Sequence, residues 1–332
     1  MTLEECRRIW QGPHRLFLRG RELKRSVGQR VQKISITLDR SCPRRLGGGC
    51  AFCNPDSFLP PGGRGHMDPV EQFHAGMKKF SEKYPRQKYI AYIQGYTGTL
   101  GDPEHLRQIY ARILSLPRVH SLVIGTRPDC LPPEILDVLA RLGDAAWPSE
   151  SGGEAERVKK ELMVELGIES FSPAALQEAR RGISSEQIRT ALGKLEQRNI
   201  PAGAHLMIGL PGEDQLQQLP EHINSLPISM LKFHQLQLIR RSPWGELAAA
   251  GKKISSLPRN PMTVDEYTDT LLDVIERIRP DIQIERLCAD APRQLVVQEH
   301  ESWEGMKNYR FTALFESELE RRNSWQGKAY EG

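Results

Sequence analysis

The sequence predicts an α/β protein built as a partial, TIM-like (β/α)6 barrel with short N- and C-terminal extensions. Three observations carry that expectation. From about residue 31, short apolar and β-branched segments alternate with amphipathic helical ones, the pattern of parallel βα units. Polar and glycine-containing motifs recur just after the strands, at the end where a parallel barrel gathers its active site. The 332 residues fit a single barrel without a second core. The expected division is a basic N-terminal extension over residues 1–30, a barrel core over 31–290 and a C-terminal extension over 291–332 that packs on the barrel.

The first strand is Val31–Leu38, alternating and β-branched, and it runs through Asp39-Arg40-Ser41 into a cysteine cluster. Asp68-Pro69 opens the next helix, because Asp can cap the free amides and Pro suits the first turn; Val70, Phe73, Met77 and Phe80 form its apolar stripe. Strand two, Tyr89–Ile93, ends in Gln94-Gly95-Tyr96, and a helix starting at Asp102-Pro103 turns Leu106, Ile109 and Ile113 inward. Strand three, Ser121–Gly125, ends in Thr126-Arg127-Pro128-Asp129, and the helix after Pro132-Pro133 stops at Gly143. Residues 144–158 read as an irregular insertion. Strand four is Leu162–Leu166, and the capping box Ser184–Gln187 starts a helix with Ile188, Leu192 and Leu195 on one face. Strand five is Ala202–Ile208, ending in Gly209-Leu210-Pro211-Gly212; strand six is Met230–Leu238. A second capping box, Thr263–Glu266, begins a further helix, and Ile282–Glu285 reads as a short closing strand. In the tail, Phe311, Leu314, Phe315 and Leu319 stand at near-helical spacing, as for a helix packed across the barrel edge or one that binds a partner.

With 39% hydrophobic and 27% charged residues and a mean hydropathy of −0.50, the chain is neither disordered nor a membrane protein in composition. Its apolar runs, such as Ser121–Gly125, are far shorter than the ~20 residues that span a bilayer. The first ten residues carry early acidic groups and no apolar signal segment, so a cytoplasmic location is expected. Residues 1–45 hold twelve Lys and Arg against four Asp and Glu, a footprint for phosphate groups or a solvated arm.

Six cysteines in this length are too few and too uneven for a disulfide framework. Cys42, Cys50 and Cys53 cluster as C-x7-C-x2-C. Read by themselves they admit two sites: a zinc with His66 as fourth ligand, or a 4Fe–4S cluster with one iron left open and Phe52 shielding a face. Cys6, Cys130 and Cys288 are scattered, so no second cluster is expected; Cys130, beside Arg127-Pro128-Asp129, is a candidate redox or hydrogen-donor thiol.

The cysteine loop after the first strand, with an aromatic before its last cysteine, resembles that of the radical S-adenosylmethionine (SAM) enzymes. The usual first gap there is three residues, and seven stand here. With Gly125–Asp129, Glu165–Ser170, Arg181-Gly182, His205–Glu213 and Leu231–Leu238, the chain is similar to the YhcC-type bacterial radical SAM proteins and to the radical SAM half of the Elongator catalytic subunit, in which the gap is also widened. The likeness covers roughly residues 26–300. It implies a radical SAM-type barrel, one 4Fe–4S cluster on Cys42, Cys50 and Cys53, SAM as second cofactor, and an electron donor of flavodoxin or ferredoxin type. It also implies contacts to SAM: Gln94, Gly95 and Tyr96 to the amino group, Glu165 to the ribose, Arg181 to the carboxylate, and the turn at Gly209 to the adenine. The residues leave other readings open. Glu165 can pair with Arg127 or Lys232, Arg181 can be a helix-end cation with Arg180 as the alternative ligand, and Gly209 can serve only its turn. His205 and His234 face either into the barrel or onto its outer face, and with Lys232 they are substrate-side candidates if inward. The function expected is reductive cleavage of SAM and hydrogen abstraction from an RNA such as tRNA or from a small molecule. The rival is a non-catalytic zinc- or cluster-stabilised RNA-binding module.

Overall fold

The computed structural model describes residues 3–10, 12, 14–38, 42–59, 66–149, 156–252, 261–297 and 303–332. Two helices, α1 (Leu3–Trp10) and α2 (Arg19–Val27), lead into β1 (Val31–Ile36). The chain then alternates through α3 (Pro69–Ser81), β2 (Lys88–Ile93), α4 (Pro103–Leu114), β3 (Val119–Thr126) and α5 (Pro133–Asp144). A hairpin of β4 (Ala146–Pro148) and β5 (Arg157–Lys159) precedes β6 (Glu161–Glu169), α6 (Pro173–Glu178), α7 (Ser185–Glu196) and β7 (Ala202–Ile208). The remaining elements are α8 (Leu219–Asn224), β8 (Met230–Gln235), α9 (Pro243–Ala249), α10 (Val264–Arg277), β9 (Gln283–Arg286) and α11 (Asn308–Arg321). The helix starts follow their caps. The Asp68 carboxylate accepts from the amides of Val70 and Glu71, Asp102 from that of His105, and both capping boxes are formed.

Seven strands form one sheet in the order β1-β2-β3-β6-β7-β8-β9, every pair parallel. Because each crossover advances by one strand and helices must cover the outer face, the sheet curls into a half-barrel with its helices outside. The short closing strand expected at Ile282–Glu285 is β9, the seventh strand, which joins the sheet beside β8. Outward-facing Ile36, Ile93, Ile124, Val164, Leu206 and Phe233 build the core against the helices. Inward-facing Ile90, Tyr92, Val123, Met163 and Met230 form a smaller cluster inside the curl.

Other boundaries move for physical reasons. Strand β8 ends at Gln235 rather than Leu238, because the Leu238 carbonyl accepts from the Val297 amide (2.9 Å) and so pairs with the C-terminal segment. The segment 144–158 is not wholly irregular: Ala146–Pro148 pairs antiparallel with Arg157–Lys159. The link Asp39-Arg40-Ser41 lies outside the described residues.

The N-terminal segment is not a detached arm. Leu18 bridges to Ile284 in parallel fashion, the Ile284 amide donates to the Phe17 carbonyl (2.8 Å), and α2 packs against both edge strands, β1 and β9. Arg19 is 3% exposed and pairs with Glu161 at 2.7 Å and Glu285 at 3.7 Å. Arg8, Arg21 and Arg25 pair with Glu4, Glu316 and Glu22, so much of this segment's basic charge is matched locally. In the tail, α11 turns Phe311, Phe315 and Leu319 fully into the core beside Tyr267 and Trp303, which makes it a packing helix.

Candidate active site

The cysteine loop leaves β1 at the carboxyl end of the sheet. Pro43–Gly47 makes one tight helical turn after Cys42, and Gly48 and Gly49, at φ of 86° and 76°, reverse the chain toward Cys50. That turn plus two left-handed glycines is what the seven-residue gap contains. The amide of Cys53 donates to the Cys50 carbonyl (3.1 Å), while Ala51 donates to Ala179 and accepts from Trp244, clamping the loop between α6 and α9. Phe52 lies against the Trp244 ring at 6.4 Å.

All three thiols are free and line one cavity of about 440 Å3 at the carboxyl ends of the strands. Burial, with Cys50 and Cys42 nearby, pushes the Cys53 thiol up to about 12. His66 is not among the residues lining this cavity. Among the described residues no three His, Cys, Asp or Glu side chains are gathered to hold a single ion. A cubane asks something else of its ligands, one thiolate for each of three different irons, and three thiols spread along one cavity wall fit that demand.

The end of α6 decides between the two arginines. Arg180 takes the left-handed conformation (φ 51°), its amide bonding Gln177 and that of Arg181 bonding Leu176, the arrangement that closes a helix. Arg180 therefore points to solvent, and Arg181, 6% exposed, turns into the cavity. Its guanidinium donates to the Gly167 carbonyl and to Cys50 Sγ (3.5 Å), lies 3.5 Å from the Glu169 carboxylate, and keeps a buried Nε without a partner. Beside it Arg127, paired with Asp129 at 2.8 Å, donates to the Arg181 carbonyl and has an unpartnered Nη1. Unsatisfied cationic donors next to three thiols suit an incoming anionic group.

Gln94 and Tyr96 line the same cavity, with Tyr96 held at φ 57° and Gln94 accepting from Ser35 Oγ (2.6 Å). Gly95 lies behind them: a Cβ there would stand 2.6 Å from Thr37 Cγ2, so only glycine fits between loop and strand. Gly209 is not brought to the wall. At φ 88° it serves its turn beside Met262, 3.6 Å from a notional Cβ.

Deeper in the curl the strands converge on Glu165, whose side chain is fully buried. Its Oε1 takes Lys33 at 3.3 Å, and its Oε2 takes His205 at 2.6 Å and Lys232 at 3.4 Å. The pairing is thus with Lys232, Lys33 and His205, while Arg127 pairs elsewhere. Burial by itself would raise the Glu165 carboxyl, but Lys232, Lys33 and His205 together hold it well below the usual range. Burial pulls Lys232 down to about 8, and burial with Lys232 nearby pulls His205 to about 4, so His205 is neutral near pH 7. Lys232 also donates to the Tyr92 hydroxyl (3.1 Å), and Lys33 pairs with Glu285 at 2.6 Å. His205 and His234 both face inward, their rings 5.8 Å apart, and Arg286 donates to His234 Nε2 at 2.7 Å. Cys130 is absent from this wall and lines a separate cavity with Thr99, Glu186 and Lys194.

Glu169 follows the alternation of Glu165 and Gly167 onto the cavity wall and was legible from it, whereas Arg286 escaped the sequence reading because it sits at a register shift. Between β8 and β9 the pairing jumps from Leu231↔Ile284 to Lys232↔Arg286. Such irregularities overturn the two-residue alternation from which facing is read. Lys33, by contrast, was legible as a charge inside an alternating strand.

The family model described as the radical SAM superfamily matches residues 37–226, a stretch that contains the cysteine loop and four of the seven strands. The chain belongs to the radical SAM superfamily. A second model, the radical SAM C-terminal domain, matches residues 228–321. YtqA of Bacillus subtilis is 28% identical over 315 residues, covering 93% of this chain and 91% of YtqA. YhcC of Escherichia coli K12 is 28% identical over 296 residues, 86% of this chain and 88% of YhcC. The structure of Elp3 from the archaeon Methanocaldococcus infernus superposes with a TM-score of 0.65 at 18% identity; the match covers 89% of this chain but only 64% of that one, and shows a shared fold. As a radical SAM protein the chain has a 4Fe–4S cluster and SAM as its cofactors. Among the described residues no helix is long and apolar enough to cross a membrane.

Proposed function

We propose that this protein cleaves SAM reductively at a 4Fe–4S cluster held by Cys42, Cys50 and Cys53, and abstracts hydrogen from a substrate admitted to the same cavity. The observation that carries the reading is that three free thiols and the incompletely satisfied guanidinium of Arg181 share one wall at the carboxyl ends of parallel strands. A reduced cluster held there by Cys42, Cys50 and Cys53 would supply the one electron that reductive cleavage of the SAM sulfonium to methionine and a 5′-deoxyadenosyl radical requires.

In this reading Arg181 holds the SAM carboxylate through its fork, and backbone around Gln94, Gly95 and Tyr96 receives the amino group. Glu165 is committed to Lys33, Lys232 and His205, which leaves Glu169, 3.5 Å from Arg181 and raised by burial, as the better-placed carboxylate for the ribose hydroxyls. Phe52 against Trp244 keeps water from one face of the cluster. Gly209 keeps its turn and contacts SAM only if the adenine extends beyond the described wall. The electron comes from a flavodoxin- or ferredoxin-type donor. Arg44 and Arg45 on the cluster loop, with Arg180 beside them, support RNA as the substrate class at the rim, tRNA foremost, with a small molecule as the alternative.

The test is anaerobic iron–sulfide reconstitution, dithionite reduction with SAM, and quantification of 5′-deoxyadenosine, with Cys50→Ala as control. The wild type is expected to take up about four irons and form the product, and Cys50→Ala to form none. Zinc in place of iron, with no product from either, favours the RNA-binding module instead. Adding tRNA then separates the substrate classes, since only an RNA substrate acquires a modification.

A further inference from the structure

Not every cation inside the curl touches a carboxylate. Arg19, Lys33, Lys232 and Arg286 stand among Glu161, Glu165 and Glu285, and the Asp290 carboxylate is exposed at the rim of the same cavity. The two histidines between them add nothing near neutral pH, because burial and the neighbouring cations lower both. Arg19, Lys33 and Lys232 each touch a carboxylate. Arg286 does not. Among the described residues its guanidinium has one hydrogen-bond partner, the neutral His234, and its Nε is buried with none. It projects from β9 onto the cavity wall with Ala289 and Asp290, whereas Arg181 follows α6 and the cysteine loop follows β1. A half-buried guanidinium with a buried, unpartnered Nε and no carboxylate in contact leaves both a donor and a charge for an incoming group.

We propose that Arg286 of β9, backed by His234 and Lys232 of β8, receives a carboxylate borne by the reacting part of the substrate. The inference rests on the reading that this cavity is the substrate's, and deepens it by naming the substrate's charge. One guanidinium without a carboxylate in contact calls for a monoanion, and its flat fork of donors matches a carboxylate through two parallel bonds. A phosphate monoester carries nearly two charges at neutral pH, more than that one guanidinium offsets. A phosphodiester is bonded on both sides and lies in an open groove, whereas Arg286 projects from a strand into the curl. His234 serves as a positioning residue, since its Nε2 accepts from one end of the guanidinium and fixes the plane of the fork.

The test titrates the reconstituted, SAM-bound protein anaerobically at pH 7 by calorimetry with N-acetylglycine, dimethyl phosphate and inorganic phosphate. N-acetylglycine is expected to bind saturably and at least tenfold more tightly than either phosphate. Arg286→Gln is expected to weaken it at least tenfold, and Arg286→Lys, which keeps the charge but not the fork, by a smaller factor. Circular dichroism melts establish that the variants fold, and Arg286→Lys carries the comparison if Arg286→Gln does not. The proposal is overturned if N-acetylglycine shows no saturable binding, if either phosphate binds as tightly, or if both variants bind like wild type. The titration reads binding alone. Absence of 5′-deoxyadenosine in the earlier assay would sink the radical reading while leaving this result to stand by itself.

Discussion

Replacing Glu165 by Gln tests whether the carboxylate at the centre of the half-barrel is the counter-ion that permits two buried lysines. The substitution keeps the volume and removes one charge. Lys33 retains Glu285 at 2.6 Å, so the loss falls mainly on Lys232, for which Glu165 is the carboxylate in contact. Removing one partner of a buried pair typically costs about 3–5 kcal/mol, and the surviving Lys33–Glu285 pair puts the expectation at about 3 kcal/mol at pH 7. The pH dependence gives the sharper reading. In the folded protein Lys232 titrates at about 8, below the ~10.4 of an unfolded lysine, so between these values the unfolded chain binds more protons and stability rises with pH. Without Glu165 the folded value falls further, so the deficit of Glu165→Gln should be near zero at pH 10 and grow as pH falls through 8 toward 7. Urea unfolding of both proteins across that range measures it, and Glu165→Gln combined with Lys232→Met should recover most of the loss. A deficit below about 1 kcal/mol, one independent of pH, or no recovery in the double variant refutes the reasoning.

Three further outcomes follow from the same geometry. Arg181→Lys loses the fork that spans Cys50 and Gly167, and equilibrium binding of SAM to the reconstituted protein should weaken about tenfold or more, as expected for a charged hydrogen bond. Acidification should destabilise the protein between about pH 6.5 and 4, because His205 titrates at about 4 when folded and an unfolded histidine takes its proton near 6.5; thermal melts of His205→Gln should show a shallower loss over that window. Gly98→Ala drives a Cβ to 2.8 Å from Ile124 Cγ2 and 3.0 Å from the Gly125 carbonyl, so it should cost about 1–3 kcal/mol in urea unfolding, whereas Gly193→Ala, in α7 with open space around it, should stabilise by about 0.5–1 kcal/mol.

The cysteine loop, the helix starts at Asp68, Asp102, Ser184 and Thr263, and the order of the parallel strands are all legible in the sequence, because each rests on local chemistry. A capping carboxylate or hydroxyl acts within three residues, and strand facing follows a period of two. The thiol spacing is read in the same local way, and the tight turn with Gly48 and Gly49 explains why seven residues fit the gap. What the tertiary structure decided is where that periodicity breaks and which charges meet. A register shift beside Leu231 brings Arg286 to the cavity wall against the alternation of its strand. The left-handed Arg180 sends Arg181 inward, and the pairing of Lys33, Lys232 and His205 on one Glu165 joins residues up to 132 positions apart. Facing within a strand is set by bonds between neighbours along the chain, whereas a bulge and a buried ion pair are set by how separate strands register, and only the assembled sheet contains that information.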